Sequence, residues 1–495
     1  MRRLSILFFA FLGLHAPEMV YSGVLSASWS TPPFDLSDGL VAAQSPRVAI
    51  SGDGTKATAV WTRGASSSSR VPQSASATIT GNSAIWSSPI DLSAIASLSP
   101  YPQVSLSSDG SKAIAVWAGP SGVIQASSAT ISGNSATWSL PINLSGANAS
   151  QVQVSLSSDG TKATAVWKRT DGSNYLIQSS SATIVGNLAT WFTPVDLYAS
   201  SQEATNPDVS ISNDGSMATA VWEKIISVTN HVAQSSSATI AGNVATWSSP
   251  IDLSSSSLDF LAPNISLSVD GAKALVVWSF KSNGSPTPYI AQATIATVVG
   301  NSATWSSSVN LSDPSAFGLA VRALLSTDAT KATAIFSFSD GTNGTVQASS
   351  CIIVGNTAMW ATPINISLAG QMSVGANIGL SSDGTRATAI WQNDLGSSKI
   401  VQASSAEIVG NVANWTSPID VYTGSTLAGA TLSNTRLALS GEGTVATGIW
   451  QAGNPTIIKT STALIIYPSP VPTLSEWAQL MLALMVIGVA WHFHN

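Results

Sequence analysis

The sequence predicts an all-β protein: an eight-bladed β-propeller of four-stranded antiparallel blades, closed by an N-terminal strand that completes the last blade, with a C-terminal hydrophobic helix. Three observations predict it. First, of 17 tryptophans, all except Trp477 and Trp491 fall on two positions of one repeating unit. Trp61, Trp117, Trp167, Trp222, Trp278, Trp391 and Trp450 close phrases like A-T-A-V-W, with Phe336 standing in once. Trp29, Trp86, Trp138, Trp191, Trp247, Trp305, Trp360 and Trp415 open phrases like W-S-x-P-I-D-L. The period, roughly 50 to 58 residues, suits a propeller blade rather than an ankyrin or leucine-rich array. Second, each unit divides into four short runs separated by turn residues. Third, the array begins and ends inside a unit.

The chain starts with Arg2 and Arg3 before an apolar run from Leu4 to Leu14, the pattern of a secretory signal. That run is too short to span a bilayer. The residues around Val20 to Ser22 suit a cut before Gly23, so 1–22 reads as a signal peptide and 23–466 as the propeller. The unit from Pro102 to Ser145 shows the blade. Residues 102–107 alternate apolar and polar, as a half-buried strand does. Asp109-Gly110 is a strong hairpin signal, because both turn residues need positive φ. Residues 112–117 form the second strand and 123–131 the third; Gly133-Asn134 turns the chain into the fourth, 136–144. Pro141 is tolerated there because an edge strand can lose a donor. Trp29 to Leu36 is then a fourth strand without its first three, and Thr435 to Ile466 is three strands without a fourth. Joined, they make one blade. An open array would leave both as unpaired edges.

Composition narrows the function. Charged residues are 9% of the chain, against about 25% in ordinary soluble domains. The net charge of −6 and the lack of a basic stripe disfavour nucleic acid. The lone Cys351 stands where sister units carry alanine and reads as a small buried residue, with no intrachain disulfide and no cysteine metal cluster possible. The recurrent acids Asp53, Asp109, Asp159, Asp214, Asp270, Asp328, Asp383 and Glu442 could suggest a cation ring. One acid per blade beside Lys or Arg does not supply the six to eight oxygens calcium needs. They read instead as turn caps. His231 reads as a polar loop residue, and Arg47, Arg63, Arg70, Arg169, Arg322, Arg386 and Arg436 lie at mostly non-equivalent positions. No cofactor or metal site is expected, and no enzyme.

The phrase S-x-D-G-T-K-A-T-A-V-W resembles two blade signatures: the S-P-D-G-K-x-I-A-F strand pair of TolB-like propellers and the Asp-box S-x-D-x-G-x-x-W of sialidases and related propellers. Each resemblance covers about ten residues per blade and implies fold, not function. The Pro of the first is missing, and Gly directly follows Asp, unlike the second.

The Asp-Gly and Gly-Asn turns barely vary, whereas the loops after each second strand and the crossovers between blades differ. In a four-stranded meander the two variable connections share one face. Function favours variable loops on a rigid scaffold, so that face, with Tyr101, Tyr175, Phe260, Tyr289 and Phe317, is the expected ligand surface for a glycan or a protein.

After the Pro-rich linker 467–470, the run Val471-Pro472-Thr473-Leu474-Ser475-Glu476-Trp477 precedes an apolar stretch ending at Trp491. The segment 471–495 resembles the IPTL-CTERM sorting signal of Gram-negative envelope proteins, with Val471 for the family's Ile and no basic cluster after the helix. The resemblance implies export, recognition by an exosortase-type sorting enzyme, and passage through the inner membrane to the cell surface. The expected function is thus an exported, surface-associated binding or adhesion scaffold. The alternatives are a secreted polysaccharide-active hydrolase or lyase, or a structural surface-layer component.

Overall fold

The computed structural model describes residues 20–471 except 23, 65, 67–68, 98–99, 229, 255–261, 282–288, 315–316, 340–343, 369, 396–398 and 425–430. Two compact units result, Ser26–Ile465 and the two terminal segments. Within the terminal unit, Val20–Ser22 pairs antiparallel with Ser469–Val471. Residues 472–495, which hold the expected apolar helix and the sorting motif from Pro472 to Trp477, lie outside the described residues. Among the described residues no helix is long and apolar enough to cross a membrane.

The larger unit is an eight-bladed β-propeller of antiparallel meanders. Blade 2 is representative: Gln103–Leu106, Lys112–Ala118 and Ile124–Ser132, then an outer strand in two pieces, Ser135–Trp138 and Ile142–Asn143. Both pieces pair with the third strand. Pro141 sits in the gap between them, which removes a donor from the edge where the loss costs least. The eighth sheet contains Thr431–Leu439, Val445–Gly453 and Ile457–Ile466, together with Ser26–Trp29 and Phe34–Asp35 from the start of the chain. Ser30 and Leu36 donate backbone N–H bonds of 2.8 Å to Thr462 and Ile458.

The two constant turns join neighbouring blades. In each Asp-Gly turn the acid accepts from the serine two residues before it and from the backbone two residues after it, as Asp109 does from Ser107 (2.6 Å) and Ser111 (2.9 Å). Gly110 has φ +65°, and a Cβ there would lie 2.9 Å from the Lys56 side chain of blade 1. The glycine therefore serves the turn and lets the preceding blade's lysine pack over it. The asparagine of the Gly-Asn turn reaches an outer strand next door: Asn134 donates to Ile85 O and Asn187 to Thr137 O. At the foot of the first strands a backbone cycle runs round the molecule. Gly52 N–H donates to Ser108 O, Ser108 to Ser158, Ser158 to Asn213, Asn213 to Val269, Val269 to Thr327, Thr327 to Ser382, Ser382 to Gly441, and Gly441 back to Gly52.

The A-T-A-V-W tryptophans are wholly buried, each burying about 200 Å² worth about 5 kcal/mol as an upper bound. Their indole N–H groups organise a relay. Trp61 Nε1 donates to Gln73 Oε1 (3.0 Å), and Gln73 Nε2 to Asp91 Oδ1 (2.7 Å), linking the second, third and outer strands. Blades 2 to 5 repeat it through Gln125, Gln178, Gln234 and Gln292. In blade 6, Phe336 has no N–H and Gln347 Oε1 is buried without a partner. In blade 8, Lys459 takes the glutamine's place, forms an ion pair with Asp35, and leaves Trp450 Nε1 unpartnered.

Candidate functional site

The eight first strands neighbour one another round the axis and line a cavity of about 870 Å³, within the usual range for small-molecule sites. Its lining includes Gln151 and Asn206, near the starts of first strands, and Tyr101 and Ala262, just before them, and so reaches the variable-connection face.

Each first strand carries an irregular residue in or just before it. Ser45, Tyr101, Gln151, Asn206, Ala262, Ala320, Gly375 and Asn434 all have positive φ, between 39° and 66°. Six of the strands shift register there, for example between Gln44 and Arg47 and between Thr205 and Asp208. A bulge re-aims the side chains that follow it. Non-glycine residues in this backbone region concentrate at functional sites. Two positions after the irregular residue stand Arg47, Gln103, Gln153, Asp208, Asn264, Arg322, Asn377 and Arg436, all of which line the cavity.

This ring contains the site's charges. Three of the arginines, Arg47, Arg322 and Arg436, share one structural position, in blades 1, 6 and 8. Arg47 Nε donates to Gln103 Oε1 (2.9 Å) and its Nη1 to Pro46 O (3.0 Å); Arg436 Nη1 donates to Thr435 O (2.8 Å). Burial, and then the charges of Arg436 and Arg322, hold Arg47 well below the ordinary arginine value. Burial and then Arg322 lower Arg436 to about 10. Across the ring, burial raises the Asp208 carboxyl, although Arg322 and three hydrogen bonds oppose this. Asp208 Oδ2 accepts from Asn264 Nδ2 (2.7 Å) and Ile265 N (3.2 Å), and Oδ1 from Val209 N (3.0 Å).

One layer deeper, the S-L-S and S-I-S serines bind blade to blade: Ser155, Ser210 and Ser266 Oγ accept from Ile211, Leu267 and Leu325 N–H. Their hydroxyls complete the inner edge of the next sheet.

Of the five aromatics expected on the ligand face, Tyr101 lines the cavity and is 55% exposed. Tyr175 and Phe317 begin a third and a first strand on the same face, and Tyr289 precedes a third strand. Lys168 Nζ lies 5.6 Å from the Tyr175 ring centre and Lys281 Nζ 5.0 Å from that of Tyr289. None of these three reaches the cavity lining. Phe260 lies outside the described residues. Val471 ends the short terminal ribbon.

His231 is not a loop residue, since it lies inside the strand Asn230–Ala241 and is 9% exposed. Its Nδ1 is 2.6 Å from Oε1 of the fully buried Glu223, whose Oε2 accepts from Asn206 Nδ2 (2.9 Å). The pair thus braces the irregular residue of blade 4 from behind. Among the described residues no group of three or more His, Cys, Asp or Glu is placed to hold a metal.

No family model matches the chain and no curated protein sequence matches it. Among solved structures, Sqt1 from Chaetomium thermophilum is similar over 90% of this chain and 100% of its own, at 11% identity and TM-score 0.48. The periplasmic gluconolactonase PpgL of Pseudomonas aeruginosa is similar over 70% of this chain and 95% of its own, at 11% identity and TM-score 0.42. A prolyl endopeptidase is similar over 83% of this chain, at 12% identity and TM-score 0.41; the chain spans 54% of its length.

Proposed function

We propose that this chain is an exported ligand-binding propeller whose recognition site is the axial cavity and the connections around its mouth. One observation carries the reading. The repeat holds its tryptophans, glutamines and turn acids nearly constant round the ring, yet the cavity position reads Arg, Gln, Gln, Asp, Asn, Arg, Asn, Arg. A purely structural position should follow the repeat, and a site for an asymmetric ligand must break it. Tyr101 gives the mouth an aromatic contact, and Tyr175, Tyr289 and Phe317 extend the same face outward.

Binding is favoured over catalysis because Asp208 is the one carboxylate in the described lining, with both its oxygens already engaged. A hydrolase reading draws support from the Asp208 carboxyl, which burial raises, as suits a general acid. Export rests on the N-terminal Arg-Arg and apolar run and on the V-P-T-L-S-E-W motif, which point to an exosortase-type enzyme and the envelope. The N-terminal strand acts as a latch, a reading supported by its pairing to Ile457–Ile466.

The test uses the full-length protein on a glycan array and a small-molecule panel, beside Ser105→Trp, which places an indole in the cavity. Saturable binding lost in S105W supports the reading, and binding unchanged in S105W overturns the cavity assignment. Turnover of a bound glycan that Asp208→Asn abolishes would replace it with the hydrolase reading.

A further inference from the structure

We propose that the arc formed by Arg322, Asn377, Arg436 and Arg47 is an oxyanion seat, which takes the carboxylate, sulfate or phosphate group of a small ligand entering the axial cavity. This rests on the cavity being the recognition site, and it names what that site selects.

The arginines occupy blades 6, 8 and 1, consecutive round the closed ring except for blade 7. That blade contributes Asn377, whose Oδ1 accepts from Leu437 N–H (3.1 Å), so its amide N–H₂ is left as the donor. A guanidinium carries five N–H donors in a planar fork. Arg47 uses Nε and Nη1 on Gln103 and Pro46, and Arg436 uses Nη1 on Thr435. The forks are fixed by these bonds, yet each keeps donors for a ligand. Arg322 donates to no partner among the described residues.

Among the described residues no ion pair neutralises the cluster. The described ion pairs are Arg63–Asp38, Lys168–Glu203, His231–Glu223, Lys399–Asp394 and Lys459–Asp35. None involves the three arginines. Asp208 stands two blades from Arg322, held by Asn264. The ring position therefore carries three positive charges and one negative in a chain whose net charge is −6. Burial first, and then neighbouring guanidinium charge, lowers the proton affinity of Arg47 and of Arg436, and an anion bound beside them offsets both. Planar forks matching oxyanion geometry are what such recognition uses. The bulge two residues upstream of each arginine fixes where its side chain starts.

Isothermal calorimetry and thermal shift on the full-length protein in low-chloride buffer test the proposal with inorganic phosphate, sulfate, glucuronate and neutral glucose. Saturable binding of at least one anion is expected, with affinity falling at least tenfold in Arg322→Gln and in Arg436→Gln. Asp208→Asn should raise affinity severalfold, and Lys399→Gln, a cation outside the cavity, should leave it unchanged. Arg322→Lys keeps the charge but loses the fork, and should lie between R322Q and wild type; it decides the matter if a glutamine variant misfolds. Which of the three anions binds tightest tells a carboxylated ligand from a phosphorylated or sulfated one.

Equal, weak binding of all anions, unaltered by R322Q or R322K, means an adventitious ion only and overturns the proposal. If glucose or another neutral ligand binds, loses binding in S105W and ignores the arginine variants, the oxyanion seat fails while the cavity reading stands. If an anion binds and S105W is without effect, both fail.

Discussion

Substituting Phe336 by tryptophan should stabilise the protein, and the reason lies in one atom. In blades 1 to 5 the indole at this position donates to a third-strand glutamine. In blade 6 the matching acceptor, Gln347 Oε1, is buried and has no partner. Supplying the donor gains about 1 kcal/mol, the usual net worth of a hydrogen bond, and removes the penalty of an unsatisfied buried acceptor. The larger ring adds roughly 40 Å² of apolar burial, about 1 kcal/mol at ~25 cal/mol/Å². Overpacking opposes this at about 1–3 kcal/mol in a filled core, but the sister blades house an indole in the same setting, so the cost falls at the low end. The expected net gain is about 1–2 kcal/mol. Equilibrium unfolding in guanidinium chloride, run as a double-mutant cycle with Gln347→Leu, reads it. The cycle should return a coupling of about 1 kcal/mol, because Q347L removes nothing that Phe336 uses and removes the new bond in F336W. A coupling indistinguishable from zero would refute the relay as a source of stability. The control is Trp167→Phe with Gln178→Leu, where the bond exists already (3.1 Å).

Further outcomes follow from the turns and the core. Gly110→Ala should destabilise more than Gly133→Ala by roughly 1–3 kcal/mol in the same unfolding assay, since both have positive φ but only Gly110 would press a Cβ into Lys56. Asp109 is held down to about 2: its partial burial pushes the other way, but hydrogen bonds from Ser107 and Ser111 and the Lys56 charge prevail. Its contribution is therefore complete above the unfolded value near 3.8 and disappears as pH falls through about 2. Asp109→Asn should be less stable than wild type at pH 6, with the two converging at pH 2. Burial pushes the Cys351 thiol up to about 12, so a thiol reagent at pH 8 should label it only at the rate of unfolding.

The scaffold was legible because its rules are local and repeated eight times. A tryptophan that ends a second strand must be buried, and an Asp-Gly pair must turn, whatever the rest of the chain does. The relay has a sequence signal of the same kind: Gln73, Gln125, Gln178, Gln234, Gln292, Gln347 and Gln402 each stand in the first half of a third strand and recur as regularly as the tryptophans. His231 departs from the loop expectation for a different reason. The second and third strands of blade 4, Met217–Ser227 and Asn230–Ala241, run further than their sisters in blade 2, so a position expected in a loop is an interior strand position paired with Ile225.

The cavity ring was hidden by the part of the repeat that varies. Measured forward from the crossovers, whose lengths differ, Arg47, Arg322 and Arg436 stand at unrelated places. Measured back from the turn acid they coincide: Arg47 is six positions before Asp53, Arg322 six before Asp328 and Arg436 six before Glu442, as Asp208 is before Asp214. The positive-φ residue absorbs each crossover's irregularity just upstream, so register is reset before the ring begins. That arrangement separates two demands on one strand. Below the bulge the repeat must hold, because the deeper serines and the turn backbone hydrogen-bond to the next blade. Two residues past the bulge the side chain still bonds to its neighbour, as Arg47 does to Gln103 and Asp208 to Asn264, but its identity changes from blade to blade. Guanidinium groups without an ion-pair partner cost stability, so three of them at one varying position of the cavity ring argue that something outside the chain completes them.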